Sequence, residues 1–396
     1  MKLTGIKVLD LSRFLPGPHL AMMMADHGAE VIKIEQPGTG DPLRKFGTMT
    51  ESGDSLVWLQ ESRNKRCVTL DLKSPRGKAM LEEMVQKADV VVENFRTGTL
   101  EKWGIGYDVL SEINPKLIMV RITGFGQTGP NSHRPAYDFM IQAMGGIMSV
   151  TGEPDGSPMK VGVGIADVMC GMYAAVGILA AILHREQGGK GQHIDLALLD
   201  SQAAWLINSG LNYLTSRQDQ HRLGNAHPNV VPYQVFQTSD SFFVLAVGNE
   251  IQFQKFCEFA GAPELSEDSR FKSNASRVKN RKILAEMINK LTQCNSTQYW
   301  LEGLEKLQVP CGPVNTIKEV FDDPQIKHRE MEISLPHSVS GKGYVSLIGS
   351  PVKMSATPVS YRNAPPTLGQ HTNEILAEIL GMDEEEYRDL AKKGVV

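Results

Sequence analysis

Asp167 stands where a carboxylate could act as an anionic nucleophile. It ends the run Val161-Gly-Val-Gly-Ile-Ala-Asp167, and the apolar stretch Val168 to Leu183 follows it. A glycine-rich, strand-like segment there meets a helix-like one. A helix start offers free N–H donors and the positive end of the helix dipole to a negative group. The same placement suits an ordinary capping aspartate, so the segment alone leaves both readings open. Upstream, Tyr137-Asp138 precedes the apolar stretch Phe139-Met-Ile-Gln-Ala-Met144. A second carboxylate near Asp167 would raise its pKa or orient water and substrate. Asp138 could equally cap a helix of its own.

The elements that must position these residues alternate. Lys7–Leu11, Glu30–Glu35, Cys67–Asp71, Ala88–Glu93 and Leu117–Ile122 read as strands, and the stretches Pro18–His27 and Ser74–Lys87 between them as helices. Gly28 suits the left-handed position after a helix, and Pro75 the first helical position. This alternation predicts a mostly parallel, doubly wound sheet. Gly124-Phe-Gly-Gln-Thr-Gly-Pro130 is a loop at the carboxyl end of a strand, where open α/β sheets bind ligands. Its glycines miss the GxGxxG spacing, so it is no dinucleotide fingerprint.

The texture changes near Asn225. Val230–Phe236 and Phe242–Val247 form a strand pair around Thr238-Ser-Asp-Ser241, helices follow at Ile251–Phe259 and Arg281–Thr292, and Pro310–Pro313 and Asp323-Pro324 read as joints. The expected organisation is a large α/β domain over 1–224, a small α+β domain over 225–325, and a return to the large domain over 326–396. That last stretch contains strands and a polar helix from Asp383 to Lys393.

With 41 basic against 45 acidic residues the chain carries a net charge of −4, which points to neither nucleic acid nor a membrane surface. The 5 cysteines are scattered, without CxxC, which fits a reduced, cytoplasmic protein with no structural metal. The first residues lack the layout of a signal or transit peptide. The run Val168–Leu183 contains Gly171 and Gly177 and falls short of the roughly 20 residues that span a bilayer, so a buried core helix is expected.

Several motifs, in order and from residue 5 to the C-terminus, carry a resemblance. They are Asp10-Leu-Ser-Arg-Phe-Leu-Pro-Gly-Pro18, Gly28–Gly38 with Gly40-Asp41, Arg63-Asn-Lys-Arg66, Val92-Glu-Asn-Phe95, Tyr137-Asp138 with Gln142 and Gly145-Gly146, and the Asp167 segment ending Gly189-Lys-Gly-Gln192. Together they resemble the class III CoA-transferases, the formyl-CoA transferase and carnitine CoA-transferase group. Gly124–Pro130, Ala226–Gln234 and Leu368-Gly-Gln-His371 look like the branch of succinate–hydroxymethylglutarate CoA-transferases.

The resemblance implies a large domain with a Rossmann-like sheet, built from both chain ends, and an interlocked homodimer. It also implies CoA transfer from an acyl-CoA to a free, small dicarboxylic acid, with coenzyme A as part of the substrate and no tightly bound cofactor. Asp167 falls on the family's covalent nucleophile. Tyr137 and Asp138 match a Tyr-acid pair beside it, with Asp138 in place of Glu. Gly248 matches a glycine-rich loop over the site, here carrying Asn249 and Glu250. Phe14, Leu15, Gln36, Leu70, Asn94 and Phe95 match positions that line CoA, and Lys102 and Arg134 match cations near its phosphates. Arg13 and Arg44 are candidate anchors for a second carboxylate, and His227 faces substrate or only shapes its loop. An acyl-CoA racemase of the same superfamily is the alternative. A histidine at position 137 would favour that alternative, whereas a tyrosine with an ordinary pKa of about 10 is a poor base. A CoA-binding protein without turnover is the other.

Overall fold

A computed structural model describes residues 3–50, 53, 55–337 and 341–396. The larger compact unit comprises Met1–Ile147, Lys160–Leu211 and Pro324–Val396, and the smaller one Met148–Met159 and Asn212–Asp323. The segment 148–159 and the residues from Asn212 onward thus pack with the smaller unit, although the sequence texture changes only near Asn225.

In the larger unit, β1 (Lys7–Asp10), β2 (Glu30–Glu35), β3 (Lys65–Thr69), β4 (Val90–Glu93), β5 (Ile118–Thr123) and β6 (His193–Ala197) form one sheet in the order β3-β2-β1-β4-β5-β6. Every ladder is parallel, with Leu9 opposite both Ile32 and Val91. The strand order reverses between β1 and β4, which opens a crevice at the carboxyl ends of these strands.

Side chains alternate across the sheet with a period of two. Val8, Val31, Val90 and Val120 face Leu20 and Met24 of helix Pro16–Asp26 and Cys170, Ala174 and Ile178 of helix Ile165–Glu186. Leu9, Ile32, Val91 and Met119 face the opposite way, onto Met80 and Met84 of helix Pro75–Val85 and onto Ile375 and Ile379 of helix Thr372–Leu380. All six strands come from the first half of the chain. The C-terminal end adds helices to one face, together with the antiparallel pair β10 (Glu332–Pro336) and β11 (Tyr344–Ile348).

Helix 165–186 has the length and composition to cross a membrane, with a mean hydropathy of 2.0 over its most apolar window. One face of it is nevertheless part of the core. Its other face leaves Met172, Val176, Leu179 and Leu183 exposed.

The smaller unit has its own core, built around Phe243, Phe256 and Trp300. Its antiparallel sheet contains β7 (Tyr233–Gln237), β8 (Phe242–Ala246) and β9 (Cys311–Pro313). The stretch read as a joint at Pro310–Pro313 is therefore a short third strand.

Arg63-Asn64-Lys65-Arg66 stitches the larger unit together. Arg63 Nη2 lies 2.7 Å from Asp26 Oδ2. Asn64 Oδ1 accepts from the amides of Arg362 and Asn363, at 2.6 and 3.1 Å. Lys65 Nζ donates to Asp10 Oδ2 and to the Pro18 carbonyl, both at 2.9 Å. Arg66 pairs with Glu30, Glu374 and Glu378. Lys65 and Asp10 are wholly buried; Lys65 has Asp10 as its ion-pair partner, whereas Asp10 also faces Lys33 at 3.8 Å. Lys65→Met leaves Asp10 with Lys33 alone as its cation and is expected to destabilise the larger unit by about 1–3 kcal/mol. The measurement is urea unfolding followed by circular dichroism, in which the transition should move to lower denaturant.

Candidate active site

Helix Ile165–Glu186 begins after Gly164, and no side chain of its own caps it. The cap comes from a distant residue. Asp138 Oδ1 accepts from the Ala166 amide at 2.7 Å and from the Asp167 amide at 3.4 Å. Both local capping readings are thereby displaced. Asp167 lies inside the first turn, and Asp138 is the first residue of helix Asp138–Met144, whose N-cap is Tyr137.

Two carboxylates thus share one helix start, under different conditions. Asp138 is bonded by backbone amides and by Gln142 Nε2, which donates to its Oδ2 at 2.7 Å. Asp167 is half-buried, and its carboxylate receives no hydrogen bond among the described residues. Burial pushes the Asp167 carboxyl up to about 7, and the charge of Asp138 adds to the push.

Small residues let the neighbours close in. A Cβ on Gly164 would lie 3.2 Å from Leu15 Cδ2 and 3.8 Å from Asp138 Cγ. Phe14 holds a left-handed φ of 60°, and its ring meets that of Tyr137 edge-on at 6.0 Å. Phe14, Leu15, Tyr137, Asp138 and Asp167 therefore form one neighbourhood.

A groove opens at the carboxyl ends of β1 to β4. Arg13, Gln36, Leu70, Phe95 and Trp103 are among its lining residues. Asn94 shapes it from behind, accepting from the Arg13 amide and donating to the Arg13 carbonyl, both at 2.7 Å. The Arg13 guanidinium lies 4.9 Å from the centre of the Phe95 ring. Glu93 fixes the next turn by accepting from the Phe95 amide at 2.7 Å.

The family model described as CoA-transferase family III matches residues 3–372. The chain belongs to CoA-transferase family III. This CoA-transferase is 43% identical over 383 residues to a succinate–glutarate CoA-transferase of Agrobacterium fabrum, with 95% of each chain covered. It is 40% identical over 394 residues to succinyl-CoA:glutarate CoA-transferase of Mus musculus, covering 100% of this chain and 90% of the mouse protein. Among solved structures it is similar to a CAIB/BAIF family protein from Brucella suis, at TM-score 0.85 and 42% identity, with 95% and 99% of the two chains covered.

The remaining expected residues of the transferase are dispersed. Lys102 is exposed on the short helix Thr99–Trp103 and lies beside the groove residue Trp103. Arg134 is exposed on the loop after β5, 5.1 Å from the Phe125 ring centre, and does not line the groove. Arg44 is no free anchor. Its guanidinium binds Glu35 at two points, at 2.8 and 2.7 Å, and lies over the Trp58 ring. His227 Nδ1 accepts from the amides of Asn229 and Val230, both at 3.1 Å, so it holds its own loop.

Gly248 begins the turn from β8 into helix Glu250–Phe259 within the smaller unit. The Gly248 amide donates to Gln252 Oε1 at 2.7 Å, Asn249 caps that helix, and Glu250 pairs with Arg277 at 2.6 Å. Asn249 and Glu250 thus pin this turn.

Trp103, Glu93 and Gln142 carry geometry that the sequence reading did not assign to the site. Only Gln142 left a local signal, one helical turn after Asp138 and on the same face.

The raised Asp167 carboxyl also has a consequence for stability. Its unfolded pKa is the ordinary value of about 3.9. Between roughly pH 4 and 7 the folded chain therefore holds the extra proton, and stability falls as pH rises. Asp167→Asn is expected to raise Tm by about 2–6 °C at pH 8 and to lose that advantage near pH 4. Scanning calorimetry at the two pH values checks this.

Proposed function

We propose that this transferase moves CoA from succinyl-CoA, or a similar dicarboxylyl-CoA, to a free dicarboxylic acid such as glutarate or hydroxymethylglutarate, with Asp167 as the covalent relay. The observation that carries the reading is the Asp167 carboxylate itself. It sits in the first turn of a helix capped by a second carboxylate, is left without a hydrogen bond of its own, and is pushed up to about 7. A basic, poorly solvated carboxylate is a better nucleophile than an ordinary one. The acid class is supported by the relatives named for succinate and glutarate.

In the first step an Asp167 oxygen attacks the thioester carbonyl, the C–S bond breaks and CoA thiolate leaves. The product is a mixed anhydride. The thiolate then attacks the Asp167 carbonyl carbon, which releases the donor acid as a carboxylate and leaves an aspartyl-CoA thioester. The acceptor carboxylate attacks that thioester and expels CoA thiolate again. The thiolate finally takes the acyl group of the second anhydride and frees Asp167. Each intermediate is hydrolysable, so the apolar side chains of Phe14 and Leu15 serve to keep water away. Tyr137, stacked edge-on against Phe14, closes the same side, and Asp138 holds the helix start. The groove lined by Gln36, Leu70 and Phe95 takes the CoA moiety, Asn94 keeps its rim in place, and Lys102 and Arg134 approach the phosphates. Arg13 is the cation left to meet a distal carboxylate. The transferase works as a homodimer, a reading supported by the exposed apolar face of helix 165–186.

Intact-protein mass spectrometry after incubation with succinyl-CoA tests the relay. A labile CoA or acyl adduct on the Asp167 peptide, converted to the hydroxamate by hydroxylamine, is the expected result. Asp167→Ala should show no adduct, lose turnover, and still bind CoA by titration calorimetry. Absence of an adduct, together with equal turnover by wild type and Asp167→Ala, would overturn the assignment.

The pH profile gives a second check. Asp167 must be ionised to attack, so kcat/KM should rise as pH increases through about 7. Asp138→Asn keeps an oxygen for the two amides but removes the charge and sets its NH2 against the Gln142 donor, so the rise should move to lower pH while the maximal rate falls.

A further inference from the structure

Gln142 is fully buried on helix Asp138–Met144, one turn beyond Asp138. Its amide makes three hydrogen bonds, one within its own helix and two to the segment before helix 165–186. Nε2 donates to Asp138 Oδ2 at 2.7 Å and to the Val163 carbonyl at 3.3 Å, and Oε1 accepts from the Val161 amide at 2.8 Å. Both amide hydrogens and the oxygen are thereby used. Two of the bonds hold the strap 161–164 that leads into the nucleophile helix. The third fixes the rotation of the Asp138 carboxylate, so that its other oxygen points at the amides of Ala166 and Asp167.

We infer that Gln142 is a positioning residue for the transfer reaction: it locks Asp138 onto the start of helix 165–186 and so sets the place of the Asp167 carboxylate. The inference rests on the reading of Asp167 as nucleophile. Without the Gln142 donor the Asp138 carboxylate is held only through its other oxygen, by the two helix amides, so its rotation and the cap loosen together. The strap loses both of its side-chain ties at the same time. Displacing a reacting group by about 1 Å costs on the order of 100-fold in rate, so the effect belongs to kcat.

The titratable and charged groups around this turn are few. Asp138 and Tyr137 come from helix 138–144, His19 from helix 16–26, Cys170 from helix 165–186 itself, Asp200 from helix Leu198–Ala204, and Lys160 from the strap. Asp138 is the one that bears directly on Asp167, and Gln142 is the side chain that orients it.

Two variants test this in the full-length protein with succinyl-CoA and glutarate. Gln142→Met keeps the volume and removes all three hydrogen bonds. It should lower kcat by about 10- to 100-fold while KM for succinyl-CoA changes by less than about threefold. Gln142→Glu gives a pH signature that a packing role alone would not produce. A neutral glutamic acid still donates to Asp138, whereas an ionised one repels it. Its rate relative to wild type should therefore fall steadily from pH 6 to pH 9. A wild-type kcat in Gln142→Met, or a Gln142→Glu ratio that does not change with pH, would overturn the inference. If Gln142→Met does not fold, the Gln142→Glu ratio decides alone. Asp167→Ala in the same assay separates the two readings. Turnover by that variant would remove the nucleophile assignment, whereas a dead Asp167→Ala beside unaffected Gln142 variants would remove only the role of Gln142.

Discussion

Two carboxylates share the start of one helix, and the rest of the site is arranged around that constraint. A helix N-terminus stabilises one negative charge well. Asp138 takes that stabilisation by accepting from the amides of Ala166 and Asp167. Asp167, in the same first turn, is left with the desolvation and the repulsion. The fold thus satisfies one carboxylate and leaves its neighbour without a hydrogen bond and with a raised pKa. Helix 16–26 packs against helix 165–186 at Gly171, where a Cβ would lie 2.9 Å from the Pro16 carbonyl.

That arrangement needs a firm platform, and the sheet supplies it through buried ion pairs as well as apolar packing. Lys33 of β2 lies 3.1 Å from Asp41, and Lys65, the first residue of β3, lies 2.9 Å from Asp10 at the carboxyl end of β1. Asp41 also meets the amide of Phe14 at 3.3 Å, where the backbone adopts its left-handed turn. The charges that secure the sheet therefore also set the loop that carries Phe14 and Leu15 toward Asp167. A buried network of this kind is weak as a source of net stability but strict about geometry once formed.

Much of the fold was legible because its strands are short apolar runs between turn signals. Glu30–Glu35 has the expected bounds, and β1, β4 and β5 differ from expectation by a residue or two. The third strand of the smaller sheet was not legible, since Cys-Gly-Pro has neither alternation nor β-branched residues. In the site, the residues Asp167 and Asp138 were legible as a pair through the resemblance of their motifs. Which of them caps the helix was not, because the bond from Ala166 to Asp138 joins residues far apart in sequence and follows no period. Arg44 misled for a similar reason. A candidate anchor for a second carboxylate in the sequence, it is committed to Glu35 and Trp58.

The division of the sheet's two faces also bears on the order in which the molecule can be completed during synthesis. The face carrying Leu9, Ile32 and Val91 is covered in part by Ile375 and Ile379, which the ribosome makes only after the whole of the smaller unit. The smaller unit, ending at Asp323, has all of its own core by then. A nascent chain therefore carries a finished satellite and a half-clothed sheet at the same moment. Early termination before helix 372–380 leaves apolar strand residues bare, in the form that invites aggregation. Helix 372–380 thus acts as the closing seam of a sheet whose first strand is Lys7–Asp10.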